Sequence, residues 1–403
     1  MDVSLKEIER ATDRIRDAIY VSPCQYTAEI SGLTGQQVYL KLDNLQRTGA
    51  FKDRGALNKI LTLTEAEKQR GVIAASAGNH AQAVAYHAVQ RGIRTQIVMP
   101  MITPLVKITA TERFGAEVIL HGENYDEAYT EARRRCDDEG LTFIHAFDDP
   151  AIINGQGTIG LELLQQVPGL EAVVLPIGGG GLIGGVACAI KENNPAIRII
   201  GVQTERIPSM LRAAEQGEPV TLPASATIAD GIAVRRAGKI TLPLVRRYVD
   251  EMVTVDEEEI ANAILVLLEK EKTLAEGAGA VAMAALLQKK TSLRGERTVV
   301  FIGGGNIDVS LLAKIIERGL LKDGRRMRIR VYLTDRPGAL HHLTKILRDQ
   351  QANIVETQHD RAYYGVSLGD TAIDITLETR GVSHIAAISQ ALEAATYRFD
   401  RIQ

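Results

Sequence analysis

The stretch Ala172-Val173-Val174-Leu175-Pro176-Ile177-Gly178-Gly179-Gly180-Gly181-Leu182 decides the fold. Its apolar first half predicts a buried strand, and the residues from Leu182 to Lys191 predict the helix that follows. Four glycines between a strand and a helix indicate a phosphate site, because main-chain N–H groups and the helix dipole attract an anion there. The alternative is a tight turn without a ligand.

Two motifs that this glycine loop lacks exclude the commonest classes of phosphorylated ligand. It has no Lys-Ser/Thr ending, which a nucleotide-binding P-loop needs. Its glycines also do not follow the G-x-G-x-x-G spacing of a dinucleotide site. The sequence therefore predicts a small phosphorylated cofactor.

Strand and helix patterns alternate on both sides of the loop. Amphipathic stretches predict helices between short apolar runs that predict strands. The predicted strands are Val72–Ala75, Thr95–Met99, Glu117–Leu120, Ile197–Val202 and Thr298–Ile302. This alternation predicts an α/β fold with parallel sheets wrapped by helices, in which ligands bind beyond the carboxyl ends of the strands.

The pattern changes at the polar link 322–326, and a compact unit with its own order follows. Strands are predicted at Arg328–Leu333, Ala352–Thr357, Thr371–Glu378 and Tyr397–Ile402, and helices at Pro337–Gln350 and His384–Ala395. The order βαββαβ is that of a split-βαβ, ferredoxin-like sandwich. The predicted domains are therefore 1–321 and 327–403, joined by the link.

Charge and composition exclude several classes of protein. The net charge is −3, which gives no overall field toward nucleic acid or an anionic membrane. Cys24, Cys136 and Cys188 lack metal-type spacing and fit a reducing compartment. Met1 to Arg16 has no apolar export segment, and no run of about 18 apolar residues is present to span a bilayer. We expect a cytoplasmic enzyme.

The segment Thr48-Gly49-Ala50-Phe51-Lys52-Asp53-Arg54-Gly55 contains a candidate nucleophile. Lys52 is either an ordinary surface lysine or an amine whose pKa is lowered so that it can attack a carbonyl. The apolar Phe51 before it and the cationic Arg54 after it favour a lowered pKa.

Three further segments are candidates for binding. Ser76-Ala77-Gly78-Asn79-His80-Ala81-Gln82 follows a predicted strand, so Ser76 or Asn79 is either a helix cap or part of a site for a substrate carboxylate. Gly303-Gly304-Gly305-Asn306 is explained equally well by a capped turn or a site. Glu276 precedes Gly277-Ala278-Gly279, where a lone acid usually interacts with the helix dipole.

In this order, the motifs resemble those of the β-family (fold type II) pyridoxal-phosphate (PLP) enzymes and are most similar to threonine and serine dehydratases. The resemblance extends from Ile8 to Ile402 and rests on Leu45–Lys52, Ser76–Gln82, Gly155-Gln156-Gly157-Thr158 and the glycine loop. It implies a two-lobed fold like that of tryptophan synthase β, with a smaller lobe inserted at about residues 50–150.

The resemblance also implies a reaction, in which L-threonine, and L-serine as well, is dehydrated and deaminated to 2-oxobutanoate, or pyruvate, and ammonia. Lys52 would be the Schiff-base lysine and the base for the Cα proton. The implied site residues are Asn79 for the phenolic oxygen of the cofactor; Gly178, Gly179, Gly180, Gly181 and Leu182 for its phosphate; Ser76, Gly78, Asn79 and His80 for the substrate carboxylate; and Glu276 beside the ring and the substrate side chain.

Several positions discriminate within the family. Threonine synthases share Phe51–Gly55 but usually lack His-Ala-Gln at positions 80–82. Serine racemases have a proton-accepting serine where this chain has Ala77, and acidic metal ligands in the segment Gln203–Ser209. Racemase activity is therefore disfavoured, and we expect no metal site. Gly303 is a departure, since the family places Ser or Cys there to face the pyridine nitrogen, and water or another group must take that role.

The C-terminal unit resembles an ACT domain, which is a regulatory module that binds amino acids. The match is the strand-to-helix turn formed by Asp335, Arg336, Pro337, Gly338, Ala339 and Leu340. It implies allosteric control by an effector such as isoleucine or valine, as in isoleucine biosynthesis; the alternative is a dimerisation unit without a ligand. We expect a homo-oligomer, either a dimer or a tetramer. The other hypotheses are a lyase acting on hydroxyaspartate, a serine racemase and a non-catalytic amino-acid sensor.

Overall fold

The computed structural model describes residues 2–360 and 369–402. They form two compact units, which divide between Asp308 and Val309. In the described part of the chain, no helix combines the length and the apolar character that crossing a lipid bilayer requires.

The first unit contains two parallel sheets and the helices that cover them. Its strands are β1 (Cys24–Tyr26), β2 (Gln37–Leu42), β3 (Val72–Ala75), β4 (Thr95–Met99), β5 (Glu117–Leu120), β6 (Thr142–Phe143), β7 (Ala172–Pro176), β8 (Arg198–Thr204), β9 (Glu251–Val255) and β10 (Arg297–Ile302). Its helices are α1 (Leu5–Ile15), α2 (Ala28–Thr34), α3 (Lys52–Leu61), α4 (Glu65–Arg70), α5 (Asn79–Val89), α6 (Leu105–Glu112), α7 (Tyr125–Glu139), α8 (Pro150–Gln166), α9 (Gly181–Asn193), α10 (Ser209–Gln216), α11 (Thr241–Tyr248), α12 (Glu257–Glu271) and α13 (Gly277–Leu287).

The larger sheet has the order β1-β2-β10-β7-β8-β9, and every pair except β1 with β2 is parallel. Every residue of β7 is buried, because helices cover both faces of this part of the sheet. The smaller sheet, with the order β5-β4-β3-β6, is entirely parallel. The predicted α/β class with parallel sheets is therefore confirmed, and both β3 and β7 lead into a helix at their carboxyl ends.

A close contact between α3 and α8 fixes the direction of the helix that begins with Lys52. A side chain at Gly155 would come within 2.7 Å of the backbone of Gly55, so the two helices can approach only because both positions lack a Cβ. Gln156 reinforces the contact, since its Oε1 accepts a hydrogen bond of 3.2 Å from the N–H of Gly55. The motif Gly155-Gln156-Gly157-Thr158 thus serves helix packing.

Beneath α3 lies a buried network of four charged side chains. The guanidinium of Arg54 bonds Asp43 at 2.7 Å and Glu162 at 2.5 Å, and Glu162 also bonds Lys41 at 2.5 Å. Arg54, Lys41 and Asp43 are fully buried. Each charge is therefore compensated by a partner, and the network holds β2, α3 and α8 in one arrangement.

The second unit contains an antiparallel sheet with two helices in βαββαβ order, preceded by a further helix. Its elements are α14 (Val309–Lys322), β11 (Arg326–Thr334), α15 (Ala339–Asp349), β12 (Asn353–Asp360), β13 (Asp370–Glu378), α16 (Val382–Ala394) and β14 (Arg398–Ile402). The strand order is β12-β13-β11-β14, which is compatible with a ferredoxin-like domain. Residues 361–368 of the predicted domain lie outside the described residues.

The predicted link corresponds to a short connection between α14 and β11. The helix α14 pairs with the strand through Glu317, whose carboxylate bonds Arg326 and Arg328. This helix therefore groups with the C-terminal unit, whereas the sequence-based division left it in the first domain. The boundary of the functional domains at 321 stays a prediction.

We expect Arg54→Met to destabilise the first unit by about 3 kcal/mol or more, because it leaves the carboxylate of Asp43 buried without its guanidinium partner. Urea denaturation followed by circular dichroism measures the change. The control is Arg212→Met, which breaks an exposed pair with Glu215 and is expected to change stability by less than about 0.5 kcal/mol. Equal stability of the two variants would contradict the structural role of the network.

Candidate active site

The glycine loop between β7 and α9 presents a row of unpaired main-chain donors. Within the described residues, no protein acceptor is found for the backbone N–H groups from Gly178 to Ile183. The first of these precede α9 and the last form its first turn, so the helix dipole adds to their attraction for an anion. The loop therefore has the donors that a phosphate group requires.

Two neighbours explain why the loop must be glycine. A Cβ at Gly179 would lie 2.3 Å from the ring of Phe147, and Gly180 has a left-handed φ of 95°. The hydroxyl of Thr241, the first residue of α11, donates to the carbonyl of Gly179 at 2.6 Å. This bond holds the peptide carbonyl on the Thr241 side of the loop and thereby fixes the orientation of the N–H of Gly180.

Lys52 and the glycine loop both contact the segment 145–149. The amine of Lys52 donates to the carbonyl of Ala146 at 2.9 Å. The next residue, Phe147, packs its ring against Gly179. Asp148 anchors the segment, because its carboxylate accepts the backbone N–H groups at positions 239 and 240 at 2.9 Å. The candidate nucleophile and the candidate phosphate site are thus brought together.

The surroundings of Lys52 favour the neutral amine. Burial lowers the pKa of Lys52 from its ordinary value of 10.5 to about 8, and the carboxylate of Glu276 partly opposes this shift. The ring of Phe51 lies 5.2 Å from the amine and the ring of Phe301 packs edge-to-face against that of Phe51, so this side of the lysine is apolar. A larger share of neutral amine at neutral pH suits attack on a carbonyl.

The first turn of α5, at the carboxyl end of β3, is a second candidate anion site. No described residue accepts from the backbone N–H groups of Asn79, His80 and Ala81, and neither Ser76 nor Asn79 caps the helix. The hydroxyl of Ser76 instead accepts the N–H of Gly78 at 3.2 Å. These free donors match the predicted site for a substrate carboxylate, whose occupant stays a prediction.

The imidazole of His80 is turned into the protein. Its Nε2 lies 2.9 Å from the carbonyl of Ile144, and burial, together with the charge of Lys52, lowers the pKa of His80 to about 3. The ring is therefore neutral and donates to that carbonyl. The group of His80 that can still donate to a ligand is therefore its backbone N–H.

Glu276 lies next to Asn79. The Nδ2 of Asn79 donates to Oε1 of Glu276 at 2.6 Å, and Glu276 makes no side-chain bond to the helix that it precedes. Burial, and then the charge of Asp230, raises the pKa of Glu276 to about 8. Below that pH the carboxyl holds a proton in the middle of the candidate site.

Three main-chain hydrogen bonds converge on the glycine turn 303–305. The N–H of Phe51 donates to Gly303 at 2.9 Å, Gly305 donates to Gly49 at 2.9 Å, and Glu276 donates to Gly304 at 3.0 Å. A Cβ at Gly303 would lie 2.8 Å from the ring of Phe301. Neighbouring aromatic packing thus explains the absence of a side chain at Gly303, whose predicted place beside a cofactor ring stays untested.

The segment that carries metal ligands in racemases is used for protein contacts here. Gln203 accepts the N–H of Leu211 at 2.9 Å and donates to Ile177 at 3.3 Å, while the hydroxyl of Ser209 donates to Val234 at 2.5 Å. Across residues 2–360 and 369–402, no group of three His, Cys, Asp or Glu side chains is arranged to hold a metal ion.

Sequence reasoning missed Ala146, Phe147, Asp148 and Thr241. Ala146 acts through its carbonyl, which leaves no side-chain signature, and Thr241 looks like an ordinary residue at the start of a helix. Their contacts join segments more than 30 positions apart. No local pattern in the sequence could have identified them.

The assembled residues fit pyridoxal phosphate, the cofactor that the sequence motifs imply. The amides of Gly178 to Ile183 would hold its phosphate, Lys52 would bond its aldehyde carbon, and Asn79 would donate to its phenolic oxygen. The protein therefore offers donors for the anionic phosphate, an amine for the electrophilic aldehyde and a donor for the phenolic oxygen of one small molecule.

Comparisons with known proteins agree with this fit. The family model described as "Pyridoxal-phosphate dependent enzyme" matches residues 15–305. An L-threonine ammonia-lyase of Thermotoga maritima is 48% identical over 395 residues, which are 98% of each chain.

Two solved structures are also similar to this chain. Maize serine racemase superposes with a TM-score of 0.75 at 33% identity, covering 80% of this chain and 99% of the other. The processed threonine deaminase isoform 2 of Solanum lycopersicum gives 0.73 at 37% identity, covering 79% and 95%. The chain belongs to the family of pyridoxal-phosphate-dependent enzymes.

Proposed function

We propose that this chain is an L-threonine ammonia-lyase, which converts L-threonine to 2-oxobutanoate and ammonia and accepts L-serine as a second substrate, giving pyruvate. The observation that carries the proposal is that the low-pKa amine of Lys52 and the glycine loop with its unpaired amides contact adjacent residues, Ala146 and Phe147. The L-threonine ammonia-lyase of Thermotoga maritima, which this chain resembles over its full length, supports the choice of substrate.

Different residues of the chain bind the substrate and remove its Cα proton. When bound, the cofactor supplies an electron-poor ring that accepts the electrons left when the Cα proton is removed. The amides at the start of α5 hold the substrate carboxylate, and the amine of Lys52 accepts the Cα proton. The β-hydroxyl then leaves as water after gaining a proton, and hydrolysis of the released product gives the keto acid and ammonia.

Racemisation is disfavoured by the residue beside the carboxylate site. Ala77 stands at the position where serine racemases have a serine, and its methyl group cannot carry a proton. The resemblance to maize serine racemase therefore concerns the fold. A lyase acting on hydroxyaspartate remains the alternative, which a substrate panel separates from a threonine ammonia-lyase.

The C-terminal unit supports a regulatory role. The turn Asp335–Gly338 joins β11 to α15, and Gly338 has a left-handed φ of 86° directly before the helix. Leu340, in the first turn of α15, is exposed. We assign this unit as an ACT domain that binds an aliphatic amino acid such as isoleucine or valine at Asp335–Leu340, in a homo-oligomeric cytoplasmic enzyme of isoleucine biosynthesis.

Lys52→Ala tests the proposed activity. We expect the purified variant to lose the visible absorbance of the bound cofactor and to produce 2-oxobutanoate from L-threonine at least about 10³-fold more slowly, because it lacks both the covalent attachment and the base. The control is Lys68→Ala, which removes a surface amine paired with Glu65 and should behave as wild type. Keto-acid formation by Lys52→Ala at an undiminished rate would reject the assignment.

The rate at which apoenzyme captures added PLP should rise with pH to half its maximum near pH 8, because Lys52 reacts only when neutral and burial lowers its pKa from 10.5 to about 8. Glu276 ionises in the same pH range, and its ionised form raises the pKa of Lys52, so Glu276→Gln should move the midpoint below that of wild type. Stopped-flow absorbance measures both profiles, with Glu205→Gln as an exposed control. A midpoint that stays in place or rises in Glu276→Gln contradicts the proposed coupling.

Gly338→Ala tests the effector site in the full-length enzyme. We expect isoleucine or valine to change the half-saturating threonine concentration about fivefold or more in wild type, and Gly338→Ala to reduce this response because alanine strains the left-handed turn. Gly381→Ala is the matched control, since Gly381 precedes α16 of the same unit with a φ of 114°. If no amino acid alters activity or releases heat on titration, the unit serves only dimerisation.

A further inference from the structure

Asn306 lies at the edge of the candidate site, on the glycine turn that joins its parts. Its Nδ2 donates to the carbonyl of Thr48 at 2.7 Å and to Oδ1 of Asn79 at 2.8 Å. Asn79 in turn donates from its Nδ2 to Glu276 at 2.6 Å. Four groups are therefore linked in a row, from a main-chain carbonyl to a carboxylate.

The direction of this row is dictated by its first member. A main-chain carbonyl can only accept, so the amide of Asn306 must turn its nitrogen toward Thr48. The same nitrogen faces Asn79, which must then turn its oxygen toward Asn306 and its nitrogen away from it. The nitrogen of Asn79 is thereby directed to Glu276, on the side of the site that contains Lys52.

The backbone fixes the place from which Asn306 acts. Gly305 donates to the carbonyl of Gly49 at 2.9 Å, and Phe51 donates to that of Gly303. The space beside Asn306 is also limited, since a Cβ at Gly49 would lie 2.6 Å from its Oδ1. The turn is thus clamped to the segment that ends in Lys52, and the distance from Asn306 to Asn79 follows from this clamp.

We propose that Asn306 is a positioning residue that sets the amide orientation of Asn79, so that Asn79 presents an N–H and not a carbonyl oxygen to the phenolic oxygen of the cofactor. An amide is nearly symmetric in shape, and a reversed Asn79 would fit the same space. A reversed Asn79 would place an acceptor against an acceptor, which weakens cofactor binding and changes the charge distribution of the ring.

Asn306→Asp is the sharpest test, because aspartate has the same shape but, when ionised, cannot donate. We expect Asn79 to reverse and to donate to the introduced carboxylate instead. The holoenzyme should then show a shifted visible absorbance band and a PLP dissociation constant raised by about tenfold or more. Both quantities are measured on the resting enzyme without substrate, so they do not depend on whether threonine is the substrate.

A double-mutant cycle separates positioning from general damage to the fold. If Asn306 acts through Asn79, the change Asn306→Asp should have little further effect on the band or on the dissociation constant in an Asn79→Ala background. Asn44→Asp is the control, since Asn44 packs beside Gly305 and donates to Leu274 without contacting Asn79. Its band should match that of wild type.

Two outcomes would overturn the proposal. One is a wild-type band and PLP affinity in Asn306→Asp, which would mean that Asn79 keeps its orientation without this donor. The other is an equal effect of Asn306→Asp in the presence and in the absence of Asn79, which would mean that Asn306 acts by another route. Failure of wild-type enzyme to bind PLP at all would instead refute the cofactor assignment.

Discussion

Two main-chain hydrogen bonds join the segment Gly49–Phe51 to the glycine turn 303–305. This pair of bonds, here called the clasp, is the constraint on which the rest of the site depends. Its hydrogen bonds are between main-chain atoms, so they fix the paths of two chain segments that are far apart in sequence. Glu276 is tied to the same turn through its own N–H. Because these three segments share one clasp, the positions of Lys52 and Glu276 relative to each other are fixed, and Glu276 in turn accepts a hydrogen bond from Asn79.

A second constraint comes from donors that the protein leaves unpaired. The N–H groups from Gly178 to Ile183 and those at the start of α5 have no acceptor among the described residues, although buried amides are nearly always paired. Such groups lower the stability of the empty protein and gain their partners when an anion binds. Phosphate at one helix and carboxylate at the other would therefore stabilise the fold as well as position the reactants.

Much of this architecture could be predicted from sequence. The strands β3, β4 and β5 have the predicted bounds, because short apolar runs are a local signal. Lys52 and the glycine loop were identified from residue type and spacing. The contacts that orient them were not, since the carbonyl of Ala146 and the hydroxyl of Thr241 act across long separations in the chain. The role of Asn306 was left open between a turn cap and a site, because its two acceptors come from distant segments.

The packing around Gly303 restricts how this enzyme could evolve toward relatives that carry a hydroxyl or thiol at that position. Gly303→Ser on its own would force a new atom against the ring of Phe301, which is held by Phe51. A smaller residue at position 301 would make room for it, at the expense of packing in the centre of the larger sheet. The two positions are therefore coupled, and the aromatic pair favours glycine at position 303.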